Sequence, residues 1–417
     1  MAKRRLGLVG VGARGRSHLD GILTERDDVV ITWICDKILT RAEEAAKVVA
    51  DKMGNTPRIT DDYRRLIEQA DVDAVVIASD WDNHVPAACL AMEAGKKVAC
   101  ECGPAYTLDD CWKLVRTYEA TGNHVMFLEN CCYDRNELMV TRMVREGLFG
   151  EVVHCDGGYQ HDLRDMILKG YPTNQFRAAS FMNRNCEYYP THDLGPIAKL
   201  LDINRGNRMV KLVSMSSSAR GLNDYARRHP DTIDPAMQDY PFRQGDVLKT
   251  MIQCAHGQSI TLTIDTSLPR FYTRDFTVRG TRGFFAEREQ TVFLDGDSHS
   301  RSEYLNNLDK YREQWEHPIW KRFNEAGEAA DNARQHSLAR LHGGMDWILF
   351  DAWFSSMDEG KVPPIDTYDM ASWMAITPLS EISLHNGSSP VDIPDFTRGA
   401  WIDRGNDKYV GFWQLDK

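Results

Sequence analysis

Three glycines in an apolar run, Gly10, Gly12 and Gly15 of Leu6-Gly-Leu-Val-Gly-Val-Gly-Ala-Arg-Gly15, have the spacing of a nucleotide-binding turn between a strand and a helix. Each meets a separate demand: a tight turn at Gly10, close approach of backbone to a pyrophosphate at Gly12, and close helix–strand packing at Gly15. The helix from about Arg14 to Leu23 then aims its N-terminal N–H groups at the phosphates. About twenty residues on, the β-rich run Val29-Val-Ile-Thr-Trp-Ile-Cys-Asp36 ends in an acid, where a carboxylate accepts from a ribose 2′-hydroxyl. Asp36 favours NAD over NADP, because a 2′-phosphate would meet its negative charge, whereas the adjacent Lys37 pulls the other way. A merely structural strand–turn–helix would account for the glycines but not for the acid that follows them.

The elements that must position these residues alternate strand and helix. Thr40 to Met53 has helical spacing, Asp73-Ala-Val-Val-Ile-Ala78 reads as a buried parallel strand, and Ser79-Asp-Trp-Asp-Asn-His84 follows at a strand C-terminus, the edge where doubly wound sheets bind ligands. A helix from Val85 to Ala94, a strand at Lys97-Val-Ala-Cys-Glu101, a helix from Thr107 to Thr121 and a strand at His124 to Leu128 complete a six-stranded nucleotide-binding domain, taken as residues 1–133. Over residues 134–417 the rhythm changes. Arg135 to Gly147 is an amphipathic helix, Val152 to Gln160 is strand-like, and His161 to Arg184 reads as polar and irregular. Another helix opens near Tyr189-Pro-Thr-His, and strands follow at Met209 to Ser216, Val247 to Ala255, Ser259 to Thr266, Asp275 to Gly280 and Thr291 to Leu294. Strands without intervening helices predict a large open, mainly antiparallel sheet in this second α/β domain. The polar span Asp297 to Ala339, with Tyr304, Tyr311, Trp315 and Trp320, is expected to be irregular surface; helices are expected at Gly344 to Met357 and Tyr368 to Asn386.

The chain's 417 residues, with 42% hydrophobic and 27% charged, suffice for two ordinary globular cores. A net charge of −11 argues against nucleic acid or an anionic membrane as the main partner. No apolar run approaches the roughly 18 residues of a membrane span, and Met-Ala-Lys-Arg-Arg leads directly into the first strand, so a cytoplasmic protein is expected. The ten cysteines form no CxxC framework and several lie in apolar runs, which predicts buried free thiols. A cluster of His154, Cys155 and His161 matches no standard zinc spacing, and no metal is expected.

Taken together, Gly-Val-Gly-Ala-Arg-Gly15, Asp-Ala-Val-Val-Ile-Ala-Ser79, His84, Met92-Glu-Ala-Gly-Lys-Lys-Val98 and Glu101-Cys-Gly-Pro104 resemble the glucose–fructose oxidoreductase, inositol dehydrogenase and rhizopine-catabolism superfamily. The resemblance covers nearly the whole chain. It implies an N-terminal Rossmann domain holding NAD or NADP and a second-domain sheet that lays a sugar or cyclitol over the nicotinamide, with the other sheet face making a homodimer or homotetramer. Two departures stand out. Dehydrogenases of this superfamily usually have Glu-Lys-Pro, whose lysine helps move the hydroxyl proton, where this chain has Cys102; they also place His four residues after Asp, where Ile197 follows Asp193 and the histidine is His192 instead.

A narrower branch fits better. Trp81-Asp-Asn-His84, the lysine-free turn, Gly157-Gly-Tyr-Gln-His-Asp-Leu-Arg164, Asn183-Arg-Asn-Cys-Glu-Tyr-Tyr-Pro-Thr-His-Asp-Leu-Gly-Pro196 and Tyr272 ahead of Arg279-Gly-Thr-Arg-Gly283 resemble glycoside hydrolase family 109, although members often have Val-Pro at Cys102-Gly103. That resemblance implies an enzyme keeping NAD bound and cleaving a glycoside without net redox change: hydride leaves C3, a base takes the C2 proton, the C1 group is eliminated, water adds, and the hydride returns. It makes Tyr189 the C2 base and His192 the carrier of the C3 hydroxyl proton, three residues apart at a helix entrance. It makes Arg177 and Tyr272 sugar contacts; Tyr159 and His161 are further candidates for the sugar pocket, and Gly10, Gly12, Arg14, Gly15, Asp36, Trp81, His84 and Glu101 are the candidate cofactor contacts. A tyrosine base needs a lowered pKa, for which Arg177 or the nicotinamide ring is the expected cation. Residue type alone leaves blander readings open: Tyr188 and Tyr189 as packing aromatics, His84 as a helix cap, Tyr159, His161 and Arg164 as a satisfied strand end, and His342-Gly-Gly-Met-Asp346 as a helix start rather than a substrate loop. The alternatives in function are an NAD-dependent sugar or inositol dehydrogenase and a non-catalytic nucleotide-sensing protein.

Overall fold

The computed structural model describes residues 3–169, 176–296, 305–329, 342–404 and 411–415. Its first sheet is six-stranded and fully parallel, in the order β3-β2-β1-β4-β5-β6: β1 (Arg4–Val9), β2 (Val29–Cys35), β3 (Arg58–Thr60), β4 (Ala74–Ile77), β5 (Lys97–Cys100) and β6 (Val125–Phe127). Every residue of β4 is buried, as a strand covered on both faces requires. The helices between these strands include α1 (Ala13–Gly21), α2 (Leu39–Met53), α3 (Tyr63–Ile67), α4 (Trp81–Glu93) and α5 (Leu108–Thr121). Two stop at left-handed glycines, Gly54 after α2 and Gly122 after α5. The strand order reverses between β1 and β4, so the crevice beyond their carboxyl ends is the ligand edge of a doubly wound fold.

After α6 (Arg135–Arg145) the chain builds an eight-stranded sheet in the order β13-β12-β11-β7-β10-β9-β8-β14. Its strands are β7 (Val152–Gln160), β8 (Met209–Ser216), β9 (Val247–Cys254), β10 (Ser259–Asp265), β11 (Thr277–Gly280), β12 (Gly283–Ala286), β13 (Thr291–Leu294) and β14 (Val391–Asp392). All neighbours are antiparallel except β7 and β10. The sequence reading did not anticipate β12 or the two-residue β14. The inner face of this sheet, with Leu248, Ile252, Ile260, Leu262 and Ile264, is buried.

Three local expectations differ. The expected irregular span Asp297–Ala339 contains helices Leu308–Trp315 and Pro318–Ala329, built on Leu308, Tyr311, Ile319 and Trp320, which are buried; Tyr304 and residues 330–339 lie outside the described residues. His161–Arg184 contains α7 (Arg164–Lys169) and α8 (Phe176–Asn183). The helix expected from Tyr368 to Asn386 divides at Ala375 into Thr367–Met374 and Ile376–His385. All ten cysteines are buried and free, as expected, and His154 meets Ser259 at 2.7 Å and Asp156 at 3.0 Å.

The C-terminal helices tie the two sheets together. Helix Met345–Asp358 lies against the nucleotide-binding unit through Arg26–Asp351 at 2.5 Å and Arg14–Asp346 at 2.8 Å. Just before the next helix, Ile365 accepts from the Phe127 N–H at 3.0 Å, continuing the hydrogen bonding of β6.

Candidate active site

The glycine turn is shaped as its spacing predicts. Gly10 has φ +89°, and a Cβ there would lie 2.6 Å from the backbone of Ala78 and Ser79. A Cβ on Gly15 would lie 2.0 Å from the Gly10 carbonyl, so α1 can approach β1 only without a side chain. Gly12 differs: a Cβ there meets nothing nearer than the Arg41 guanidinium at 3.8 Å, and no side chain caps α1. The open side of the turn and the uncapped helix N-terminus together fit a pyrophosphate.

Asp36 is buried at the end of β2, accepting from the Val11 N–H and the Ile38 N–H, each at 2.9 Å. Each carboxylate oxygen keeps a further lone pair for a ribose hydroxyl. Lys37, whose charge could have favoured a 2′-phosphate, pairs with Asp80 at 2.8 Å. His84 on α4 approaches the Ser79 carbonyl through Nε2 at 3.1 Å, while its buried Nδ1 has no partner. Burial keeps this imidazole neutral, leaving Nδ1 as an acceptor that a sugar hydroxyl of a dinucleotide would satisfy. These residues fit NAD.

Between this cradle and helix Met345–Asp358 lies a charged network. Arg14 donates to Glu101 at 2.8 Å and, through two nitrogens, to Asp346 at 2.8 Å. His18 meets the same Glu101 oxygen at 2.6 Å, and Asn130 donates to Asp346 at 2.8 Å. Burial alone would raise the Glu101 carboxyl, but Arg14 and His18 hold it down at about 2. Asp346, likewise buried, is held far below the usual range by Arg14. His342 adds a contact to Asp346 at 2.8 Å just before the helix, so this segment starts a helix and braces Arg14.

The second wall comes from β7, α8 and the entrance of α9 (Thr191–Leu200). Tyr189 precedes the helix and His192 lies in its first turn, which brings the phenol to 3.5 Å from Nε2. On the other side of the ring, His192 Nδ1 meets Glu129 at 2.7 Å. The carboxylate of Glu129, fully buried at the end of β6, also accepts from the Cys131 N–H at 3.1 Å and from the Cys102 thiol at 3.0 Å. Burial pushes it up, yet His192 prevails and holds it below the ordinary value. With Glu129 accepting from Nδ1–H, Nε2 is the proton acceptor that faces Tyr189.

Aromatic rings complete the wall. Trp81 packs against Tyr189 at 5.6 Å and Phe176 at 4.3 Å, and Gly103 has no side chain because a Cβ would strike the Trp81 indole at 2.4 Å. Trp81 thus backs the site as a packed ring. Arg177 lies over Trp81, Phe176 and Tyr189 at 5.2–5.5 Å, with a buried Nε that has no partner. Tyr159 adjoins Tyr189 at 4.7 Å; His161 and the half-exposed Tyr272 continue outward, 5.2 Å apart. Tyr188 bonds Thr266 at 2.6 Å and is wholly buried, so it packs. Arg164 is engaged by Asp162 at 2.7 Å.

One electrostatic expectation is reversed. Arg177 does lower the Tyr189 phenol, but burial outweighs it and leaves the hydroxyl well above its ordinary value. The sequence reading also passed over Glu129 and Asn130, and met Asp346 only as the end of the His342–Asp346 stretch, without its pairing to Arg14. Glu129 and Asn130 follow the carboxyl end of β6, a position that signals ligand-edge residues in this fold.

Two family models match the chain: "Oxidoreductase family, NAD-binding Rossmann fold" over residues 4–128 and "Glycosyl hydrolase 109, C-terminal domain" over residues 133–403. A glycosyl hydrolase family 109 protein of Solibacter usitatus is 38% identical over 407 residues, 96% of this chain and 90% of the relative. An alpha-N-acetylgalactosaminidase of Tannerella forsythia is 36% identical over 428 residues, covering 96% and 87%. Among solved structures, myo-inositol 2-dehydrogenase from Lactobacillus plantarum superposes with TM-score 0.66 at 15% identity, covering 94% of this chain and all of that one. Levoglucosan dehydrogenase in complex with NADH superposes at 0.65 with 18% identity, over 94% and 100% of the two chains.

Proposed function

The chain belongs to glycosyl hydrolase family 109, and on that premise we propose how its own side chains carry out NAD-dependent cleavage of a sugar glycoside. Bound NAD supplies a hydride acceptor that is restored within each turnover, leaving no net redox change. Gly12, on a turn that Gly10 and Gly15 make possible, would face its pyrophosphate, Asp36 would hold the adenosine ribose and select NAD, and His84 Nδ1 would accept from the second ribose. Arg14 and Glu101 act as a fixed pair that shapes the cofactor cleft from behind.

The observation that carries the reading is the line Tyr189, His192, Glu129. Glu129 orients the imidazole, so that Nε2 takes the proton of the C3 hydroxyl as that carbon is oxidised. Tyr189 removes the C2 proton, which the neighbouring ketone has acidified, and the C1–C2 elimination expels the aglycone. Because burial holds the phenol protonated, it needs added positive charge, from Arg177 and the nicotinamide ring, to give up its proton to solvent before it works as a base; Nε2 is reserved for the C3 proton. Arg177, Tyr159, His161 and Tyr272 line the sugar's path, and their rings exclude water from the elimination. An α-linked N-acetylgalactosaminide is the donor we assign first, from the Tannerella forsythia relative's name.

No helix among the described residues is long and apolar enough to cross a membrane. Self-association into a homodimer or homotetramer is assigned to the outer face of the eight-stranded sheet, where Met215, Met251 and Phe293 are exposed. Light scattering of the wild type and of Met251→Lys tests that assignment.

The chemical test is incubation with nitrophenyl α- and β-glycosides in heavy water. Release of a sugar carrying deuterium at C2 without net NADH supports the mechanism. Release without C2 deuterium overturns Tyr189's role as a solvent-exchanging C2 base, and NADH accumulation on free sugars would replace glycosidase with dehydrogenase.

A further inference from the structure

We propose that Cys102, Glu129 and His192 form an inhibitory site for a thiophilic divalent cation, Zn²⁺ or one of similar softness. The inhibition rests on the role given to His192 above; the binding does not. Among the described residues these three form the one group of His, Cys and carboxylate donors whose ligand atoms all lie within 4.8 Å of one another. The Cys102 thiol and the His192 Nδ1 approach the two oxygens of the same carboxylate, at 3.0 and 2.7 Å. A tetrahedral zinc ion separates such ligand atoms by about 3.3–3.6 Å, so seating it between them opens each of the two carboxylate contacts by about half an ångström.

The donor set suits the ion and the surroundings. Sulfur, imidazole nitrogen and carboxylate oxygen are the three ligand types that zinc takes, and a water supplies a fourth position. Metal entry sends the thiol proton to solvent and moves the imidazole proton from Nδ1 to Nε2. A thiolate, a carboxylate and a neutral imidazole then balance the two positive charges, which lets a dicationic ion occupy a buried place. Glu129 is fully buried and Cys102 nearly so, while His192 is partly exposed, which leaves the sugar side as the route of entry. Cys102 is also where the turn departs from both the lysine of the dehydrogenases and the valine frequent in the hydrolase branch, so the site belongs to this chain. With the ion on Nδ1, Nε2 carries the proton and can no longer accept one, and the Tyr189 line is broken.

The test uses NAD-loaded enzyme freed of metal by a chelator and titrated with Cd²⁺, read by the ultraviolet thiolate-to-metal charge-transfer band. A band saturating at one equivalent, displaced by Zn²⁺, absent in Cys102→Ser and kept in Cys254→Ala, is the expected result. No saturable band, or a band that survives in Cys102→Ser, overturns the site. X-ray absorption of Zn²⁺-loaded wild type is independent of any variant's folding: one sulfur at about 2.3 Å with nitrogen or oxygen at about 2.0 Å is expected, and a shell of oxygen and nitrogen alone overturns it. Zn²⁺ should also inhibit glycoside release with the midpoint of the band. A band without inhibition overturns the inhibitory role, and failure of all glycosides to react leaves the spectroscopic result standing by itself.

Discussion

The two walls of the cleft treat buried charge in opposite ways. On the cofactor wall every buried carboxylate has a partner: Asp36 takes two backbone N–H groups, and Glu101 and Asp346 share Arg14. Behind the sugar wall, Glu187 and Asp193 are buried with no side chain among the described residues to pair their charge, each meeting only a backbone N–H, of Tyr189 and Tyr159 respectively, and both are raised, Asp193 by burial and by the charges of Glu187 and Glu129. The Tyr159 and Tyr189 phenols beside them are also kept protonated by burial. A wall built of compensated charges suits a cofactor that must be held in one place, its dianionic pyrophosphate included. A wall of neutral acids and phenols keeps protons available, and becomes charged only when substrate and cofactor change the local field.

The contrast can be broken first at its most reactive point. Tyr189→Phe should lower glycoside turnover about 10³-fold or more and abolish C2 deuterium exchange, while NAD binding, followed by fluorescence, is unchanged. An exchange rate equal to wild type would remove Tyr189 from the chemistry.

Arg14→Met attacks the other wall. It leaves Glu101 and Asp346 facing each other in a buried place, and the expected loss is about 3 kcal/mol of stability, read as a lower urea midpoint with an unchanged slope. Glu129→Gln comes next in size. The amide can hold the ring but cannot stabilise an imidazolium, so kcat should fall about 10²-fold with little change in KM.

The smallest effect has the opposite sign. Burial pushes Glu187 up to about 8, against about 4.3 in an unfolded chain, so the folded protein binds the extra proton. Stability therefore falls as pH rises between those two values, and the penalty is complete above about 8. Glu187→Gln should raise the melting temperature by a few degrees at pH 9 and leave it nearly unchanged at pH 4. A melting temperature that drops equally at both pH values would mean that the carboxyl has a structural partner.

Much of this was legible along the chain, because local rules were in force. The glycines at positions 10, 12 and 15 and the acid at 36 act through neighbours in one strand–turn–helix unit, so their spacing alone pointed to a dinucleotide. Tyr189 and His192 lie three residues apart at a helix entrance, and that spacing is what brings them together. Helices 308–315 and 318–329 were missed for the complementary reason: charged residues are as numerous as apolar ones there, and the order comes from a few large side chains buried against distant elements.

Tertiary structure alone decided the rest. Glu129 stands 63 residues from His192 and 27 from Cys102, and only the closing of β6 onto α9 turns three unremarkable side chains into an oriented imidazole and a set of metal donors. The protonation of Tyr189 was decided there too. Its neighbours in sequence do not report burial, and the desolvation that the fold imposes outweighs the cation that the sequence supplied.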